Sequence, residues 1–214
     1  MAARVFVTTT LAAATGGITS VLWGRAVGKT RSYDVPSMCN GILVGLVSIT
    51  AGCATVTPWA AIISAFIGAL ICRGASKLVL HKMGIDDPLD AFAVHGAGGL
   101  WGVVAASLFT KPAYSRIVYD SERAGAFYGG GGERLGAAVV FCIVHVAWVG
   151  ILSTIIFTAL DAFGVLRVRG VGRGKLPAGQ AYPETMDLDM EGSRGGSRYS
   201  SPRLGPTAAA LDDG

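Results

Sequence analysis

Charged residues are scarce in this sequence, and long stretches contain none. Asp, Glu, Lys and Arg make up 15% of the 214 residues, 51% are hydrophobic, and the mean hydropathy is +0.52. A soluble domain needs more charge on its surface, so this composition is typical of an integral membrane protein. The longest uncharged runs are Val5–Gly24, Val35–Cys72, Ala91–Thr110 and Leu135–Leu160.

Motifs for enzymatic chemistry are also lacking. The sequence contains no HExxH motif, and Lys with Ser or Thr does not follow its glycine-rich stretch as in a phosphate-binding loop. The four cysteines are scattered through the apolar runs without CxxC spacing, which argues against a zinc site. We therefore expect neither an enzyme nor a bound metal or cofactor.

Each uncharged run reaches the roughly 20 residues that cross a hydrocarbon core as a helix. The run Val35–Cys72 would extend for about 57 Å as one helix, nearly twice the core thickness, so it must contain two. The break belongs between residues 52 and 58, because Pro58 lacks an amide proton and suits a first helical turn. The sequence thus predicts an all-α, polytopic transmembrane helical bundle with about five spans, near 3–24, 37–53, 58–77, 88–110 and 134–163.

The basic residues are spread over connections and tail rather than one face, so we expect no nucleic-acid partner despite the net charge of +4. One set of connections and the tail carry ten of them: Arg25, Lys29, Arg31, Arg73, Lys77, Lys82, Arg167, Arg169, Arg173 and Lys175. The opposite side carries five: Arg4, Lys111, Arg116, Arg123 and Arg134. The positive-inside rule therefore places the C-terminus in the cytosol and the N-terminus outside.

The chain changes character near residue 167, where it becomes polar and rich in Gly, Ser, Arg and Pro. Such a segment cannot bury enough apolar surface to fold alone. We therefore expect a transmembrane domain at 1–166 and a cytosolic, largely disordered tail at 167–214.

His95 is the strongest candidate for contact with a transported species. It follows Asp87 by eight residues, which places it about 12 Å along the predicted helix, inside the apolar layer. Burial disfavours imidazolium, and a neutral ring offers one N–H donor and one lone pair to a small polar molecule. The alternative is a core histidine bonded to a backbone carbonyl, and spacing alone does not decide between the two.

The other two histidines are weaker candidates. His145 also lies inside a predicted span, but bulky neighbours such as Ile143, Val144 and Trp148 suit a helix–helix hydrogen bond better than a pathway. His81 falls in a basic connection, where we expect an interfacial or solvated side chain.

Acidic residues precede the span of His95. Asp86, Asp87 and Asp90 flank Pro88, which we place in the first turn of the helix. Carboxylates at this position accept the free amide protons of the first turn and face the positive end of the helix dipole. Helix capping is the structural interpretation of Asp87 and Asp90, and coordination of an ion is the functional one.

Several stretches together resemble the ammonium transporter (Amt/Mep/Rh) family, in particular its eukaryotic, plant-like members. They occur in the family's order and cover most of residues 3–192: "VTTTLAAATGGIT", "CNGILVGLVSITAGCATVTPWAAII", "DDPLDAFAVHGAGGLWG", "YGGGGERLGA" and "MDLDMEG". The resemblance implies an 11-helix fold of two inverted five-helix halves and a final helix, assembled as a trimer in the plasma membrane. The five predicted spans then resemble helices seven to eleven.

The resemblance also implies a function for individual residues. Ammonium would lose its proton near the outer mouth, and ammonia would pass a hydrophobic pore lined by two histidines. His95 matches the second of these, Asp87 matches an acid at the start of its helix, and His145 receives no role. The other histidine and the aromatic recruitment site belong to the first six helices, which these 214 residues do not include.

Two functions follow from this partial match. The first is ammonium or ammonia transport by a chain that forms part of a transporter. The second is a non-conducting membrane subunit that assembles with full-length members and modulates them, as a homo- or hetero-oligomer. The distinction matters because half of a pore would expose polar groups to lipid unless another chain covered them.

Overall fold

The computed structural model describes residues 1–27, 34–85 and 87–166, and all regular structure in these ranges is helical. The cytosolic tail predicted at 167–214 and the carboxylate of Asp86 lie outside the described residues. Six α-helices follow one another along the described chain: α1 (Ala2–Val27), α2 (Val35–Thr50), α3 (Pro58–Lys77), α4 (Gly98–Phe109), α5 (Pro112–Tyr119) and α6 (Glu133–Ala162).

The predicted fold class is confirmed. Within the described ranges, four helical segments are long and apolar enough to cross a membrane: Ala2–Val27, Pro58–Lys82, Phe92–Phe109 and Glu133–Ala162. α2 is apolar but shorter, with 16 residues, and lies where the span 37–53 is predicted. The short helix α5 and a 3-10 turn at Ala126–Tyr128 lie in the connection between α4 and α6.

The predicted break in the long uncharged run is confirmed. α2 ends at Thr50, turns occupy the residues that follow, and α3 begins at Pro58 after Thr57 in an extended conformation. Proline at this position leaves no amide proton unpaired, because the first helical amides have no partner within the helix.

The start of the fourth span differs from our prediction. Pro88 and Leu89 form a turn ahead of the helix instead of its first turn, and Asp90 adopts a left-handed backbone conformation with φ of 54°. Helical structure begins directly afterwards and first runs as a π-helix over Phe92–Ala97, here called the π segment, before α4. The sequence signal was ambiguous, since proline suits a turn as well as a first helical turn.

α1 and α2 approach each other backbone to backbone. A Cβ at Gly16 would lie 3.0 Å from the Gly45 Cα and would overlap the Gly41 carbonyl oxygen, and a Cβ at Gly45 would overlap the Ala12 carbonyl. Glycine is therefore needed on both helices. Small residues are a general means of close helix packing in membranes, where lipid supplies no hydrophobic drive between helices.

Hydrogen bonds at the two ends of the bundle show how the helices alternate. At the end that holds the N-terminus, Arg4 Nη1 donates to the Ala54 carbonyl at 3.2 Å, and Lys111 N donates to the Thr55 carbonyl at 2.9 Å. At the opposite end, Arg73 Nη2 donates to the Ser20 carbonyl at 3.3 Å. The loops after α2 and α4 therefore share one side with the N-terminus, as the predicted topology requires.

The buried core lies between α1, α2, α3, the π segment and α4. It forms two clusters, one around Ile49, Ala60 and Phe109 and the other around Val44 and Val94. α6 lies apart from this core and packs against α4, with most of its side chains exposed.

Candidate functional site

The π segment separates a buried face from an exposed one. Ala93 and Val94 are 0% and 2% exposed and pack in a cluster with Val44, Ala69 and Cys72 of α2 and α3. His95, the next residue, is exposed and points out of the described bundle. The imidazole is therefore placed on a surface, and in the described ranges it makes no hydrogen bond that would tie it to the core.

The wider turn of the π segment distinguishes this part of the chain from the helices around it. A π-helix pairs each amide with the carbonyl five residues earlier, so its side chains follow a different spacing from those of an α-helix. The Phe92 ring lies against Gly96, where a Cβ would come within 2.9 Å of Phe92 Cδ2. Such π turns are frequent at functional sites, and this one carries the candidate histidine.

Asp87 holds the start of this segment. Its Oδ1 accepts a hydrogen bond from the Ala91 amide and its Oδ2 accepts one from the Phe92 amide, both at 2.8 Å. The carboxylate thereby satisfies two of the amide protons that have no partner at a helix N-terminus, and it faces the positive end of the helix dipole.

Asp90 joins the same segment to α2. Its Oδ2 accepts a hydrogen bond from Asn40 Nδ2 at 3.2 Å, and its backbone carbonyl accepts one from the Val94 amide at 2.8 Å. Sequence reasoning treated Asp90 as a capping residue and missed Asn40. The available signal was an amide side chain in an otherwise apolar span, which requires a polar partner.

Close packing fixes α4 against α2 beyond the histidine. A Cβ at Gly98 would lie 2.7 Å from Val44 Cγ2, and one at Gly102 would lie 3.0 Å from the carbonyl oxygens of Val47 and Ser48. Trp101 fixes α4 to α3 as well, since its Nε1–H donates to the Ser64 carbonyl at 2.8 Å. His95 therefore lies between a polar attachment at Asp90 and close helix contacts at Gly98 and Gly102.

A small cavity of about 100 Å³, lined by polar side chains and by a larger share of apolar surface, lies beside Asp90 at the end of the bundle away from the N-terminus. Its lining includes Ser37, Asn40, Cys72 and Arg73, and the buried Ser37 hydroxyl has no hydrogen-bond partner among described atoms. A cavity of this size has room for a few ordered waters beside its polar side chains.

The structure does not bring all the predicted residues together. Asp87 and Asp90 bind backbone and Asn40 but form no hydrogen bond or ion pair with His95 in the described ranges. His145 lies on α6, where its ring stacks on Phe141 with centroids 5.5 Å apart. His81 is exposed in a short π-helical extension of α3 at Leu78–Lys82. Within the described residues, no three His, Cys, Asp or Glu side chains are grouped as metal ligands.

Comparison with known proteins identifies the family. The family model described as Ammonium Transporter Family matches residues 1–173. The chain belongs to the ammonium transporter family. It is 36% identical over 205 residues to Ammonium transporter 1 member 1 of Solanum lycopersicum, a match that covers 94% of this chain and 40% of the relative. It is 39% identical over 167 residues to Ammonium transporter 3 of Dictyostelium discoideum, covering 78% and 38%.

Solved structures agree with this family assignment. The crystal structure of Candida albicans Mep2 matches with a TM-score of 0.69 and 31% identity, over 78% of this chain and 36% of that chain. Mep2 of Saccharomyces cerevisiae matches with the same TM-score at 26% identity. The family resemblance and the fold predicted from the sequence are thus confirmed. The chain spans about two fifths of the length of the curated relatives named above.

Proposed function

We propose that this chain forms part of a transporter that moves ammonium or ammonia across a membrane, with His95 as a pore residue. The main support is the family match over residues 1–173, which includes the π segment and its histidine. The exposed imidazole on an otherwise apolar transmembrane segment is the structural observation that supports this role.

The proposed mechanism depends on the chemistry of a neutral imidazole. Its N–H can donate to the lone pair of ammonia, and its unprotonated nitrogen can accept from an ammonia N–H. An apolar surrounding favours the neutral passenger over the charged one, because an ion loses far more hydration energy on entry. His95 would therefore replace part of the hydration of ammonia as it crosses.

The other two site residues would act on the position of His95. Asp87 fixes the amides at the start of the π segment, and Asp90 attaches that start to α2 through Asn40. Neither needs to touch the passenger. We therefore assign both a structural role at the start of the pore helix rather than ion coordination or catalysis.

The environment of the protein follows from the same family assignment. We infer a multi-pass protein of the plasma membrane with a cytosolic C-terminus, assembled as a trimer. The basic residues on the side opposite the N-terminus support this orientation. We assign the tail at 167–214 to the cytosol and the segment 1–166 to the membrane.

A modulating subunit remains the second candidate, because the exposed His95 surface needs a covering partner and the chain spans only part of its relatives. Methylammonium uptake distinguishes the two functions. Cells without their own ammonium transporters would express residues 1–214 with the portion of the Solanum lycopersicum relative that the match leaves uncovered, the full-length relative alone, or the full-length relative with residues 1–214. Uptake by the two complementary portions together that is lost in His95→Ala but kept in the matched control His81→Ala supports transport. Altered uptake only when residues 1–214 accompany the full-length relative supports the subunit, and no effect in either case contradicts both.

A further inference from the structure

α6 carries a histidine at membrane depth whose ring nitrogens pair with no described residue. His145 follows Glu133 by twelve residues, which places it about 18 Å along a 30-residue apolar helix. The side chain is exposed, and its ring stacks on Phe141 at an interplanar angle of 17°. In the described parts of the chain its two nitrogens make no hydrogen bond.

His145 continues the face by which α6 contacts the rest of the bundle. Ala138, 7% exposed, is the buried residue of α6, and α6 packs against α4. At 3.6 residues per turn, His145 returns to within about 20° of Ala138 around the helix. Cys142 lies on the same side and is partly buried. We call the strip Ala138, Cys142, His145 and Val149 the inner stripe of α6.

Lipid is a poor cover for this stripe. Hydrocarbon offers neither an acceptor for the imidazole N–H nor a donor for its lone pair, and stacking on Phe141 leaves both nitrogens unsatisfied. Polar side chains in transmembrane helices therefore face protein or a water-filled space. The inner stripe begins in the contact with α4, so a covering helix would extend an existing packing surface.

The comparison with solved structures indicates where a covering helix can come from. The match to Mep2 of Candida albicans leaves nearly two thirds of that chain unmatched, while it covers most of this one. We propose that the inner stripe of α6 docks a transmembrane helix from the part of the transporter fold that these 214 residues do not span, and that His145 hydrogen-bonds a polar group on it. The proposal rests on family membership and is independent of whether the chain conducts.

His145 then determines which partner fits. A helix with a hydroxyl, an amide or a free backbone carbonyl opposite the ring satisfies it, whereas a helix that is apolar there leaves the imidazole unpaired. Interhelical hydrogen bonds of this kind contribute modestly to association in membranes. The stripe therefore selects among related partners more than it provides the bulk of the affinity.

Association of two separately tagged chains tests the proposal without a transport assay. Residues 1–214 would be co-expressed with the portion of the Solanum lycopersicum relative that the match leaves uncovered, and the complex captured from mild detergent. His145→Leu should reduce capture about three- to thirtyfold, the range expected for one interhelical hydrogen bond. His145→Gln, which keeps a hydrogen-bonding group, should restore most of it, and Ile143→Ala on the opposite face should have no effect.

A fused chain of the two portions provides a second measurement if the separate portion folds poorly. His145→Leu should then lower the midpoint of thermal unfolding, and His145→Gln should lower it less. Failure of the wild-type chains to associate, with no difference between Leu and Gln in the fused chain, would overturn the proposal. Equal loss with Ile143→Ala would also overturn it, and so would capture of residues 1–214 only by a second copy of themselves.

Discussion

The Asn40 amide of α2 donates to the Asp90 carboxylate at 3.2 Å, across 50 positions of sequence, at a residue with a left-handed backbone. This bond joins α2 to the turn that starts the helix of His95. It lies beside the cavity lined by Ser37 and Arg73, at the end of the bundle opposite the N-terminus. The position of the candidate pore histidine therefore depends on a contact that neither helix makes alone.

Removal of this contact should destabilise the bundle. Asn40→Ala leaves one carboxylate oxygen without its donor, and we expect a loss of about 1–2 kcal/mol in the free energy of unfolding. Unfolding in mixed detergent micelles measures it. A double-mutant cycle with Asp90→Ala should show coupling, since the two residues share one bond. The control Thr50→Ala removes only a hydrogen bond within α2, to the Leu46 carbonyl, and should cost less. Additive effects of Asn40→Ala and Asp90→Ala would contradict the assigned contact.

The second prediction concerns the cap that Asp87 forms at the start of the π segment. Asp87→Ala removes both acceptors from the amides of Ala91 and Phe92, so their hydrogen exchange should accelerate and stability should fall by about 1 kcal/mol. Exchange measured by mass spectrometry on peptides that cover the π segment tests this. Asp34→Ala, which removes the cap of the Ser37 amide in α2, should affect only that helix. Unchanged exchange at the π segment would show that Asp87 does not hold it.

Two neighbouring glycines of α4 should respond differently to the same substitution. Gly102→Ala places a methyl group 3.0 Å from two carbonyl oxygens of α2 and should cost about 1–3 kcal/mol. At Gly99 the added methyl lies 3.9 Å from Val47 Cγ1, an ordinary contact, so Gly99→Ala should be neutral or slightly stabilising. Thermal unfolding of the two variants compares them directly. An equal loss of stability in both would argue against the close packing of α4 on α2.

A cation–π contact should stabilise the end of the bundle that holds the N-terminus. The Arg4 guanidinium lies 3.4 Å from the centre of the Tyr114 ring and also donates to the Ala54 carbonyl. Tyr114→Leu should lower stability by about 0.5–2 kcal/mol. The loss should be smaller in an Arg4→Ala background but should not vanish, because the Lys111 ammonium also lies 5.0 Å from the ring centre. Arg116→Ala breaks an exposed ion pair with Glu122 and should change stability by less than about 1 kcal/mol. Chemical unfolding of these variants provides the measurement.

The sequence correctly predicts the features that depend on composition and on local chemistry. The uncharged runs gave the spans, and the missing amide proton of Pro58 gave the start of α3, because both effects act within a few residues. It missed the start of the fourth span and the π segment, where Asp90 adopts a left-handed conformation held by Asn40. That contact belongs to tertiary structure, and no local pattern around Asp90 encodes its partner.

The sequence likewise predicts only some features of the candidate site. The depth of His95 follows from its distance to the acidic residues, but its direction does not, because a π turn shifts each later side chain around the helix axis. Val94 packs against Val44, and this packing leaves the side of the π segment that carries His95 exposed. Only the three-dimensional packing of α2, α3 and the π segment determines this.

The glycine contact between α1 and α2 has a mechanical consequence. Where backbone meets backbone, as at Gly16 and Gly45, no side chain can change rotamer to let one helix slide over the other. We therefore expect the two helices to move as one rigid unit. A rearrangement around His95 would then bend the chain at the turns at 51–57 and at the turn of Pro88 and Leu89.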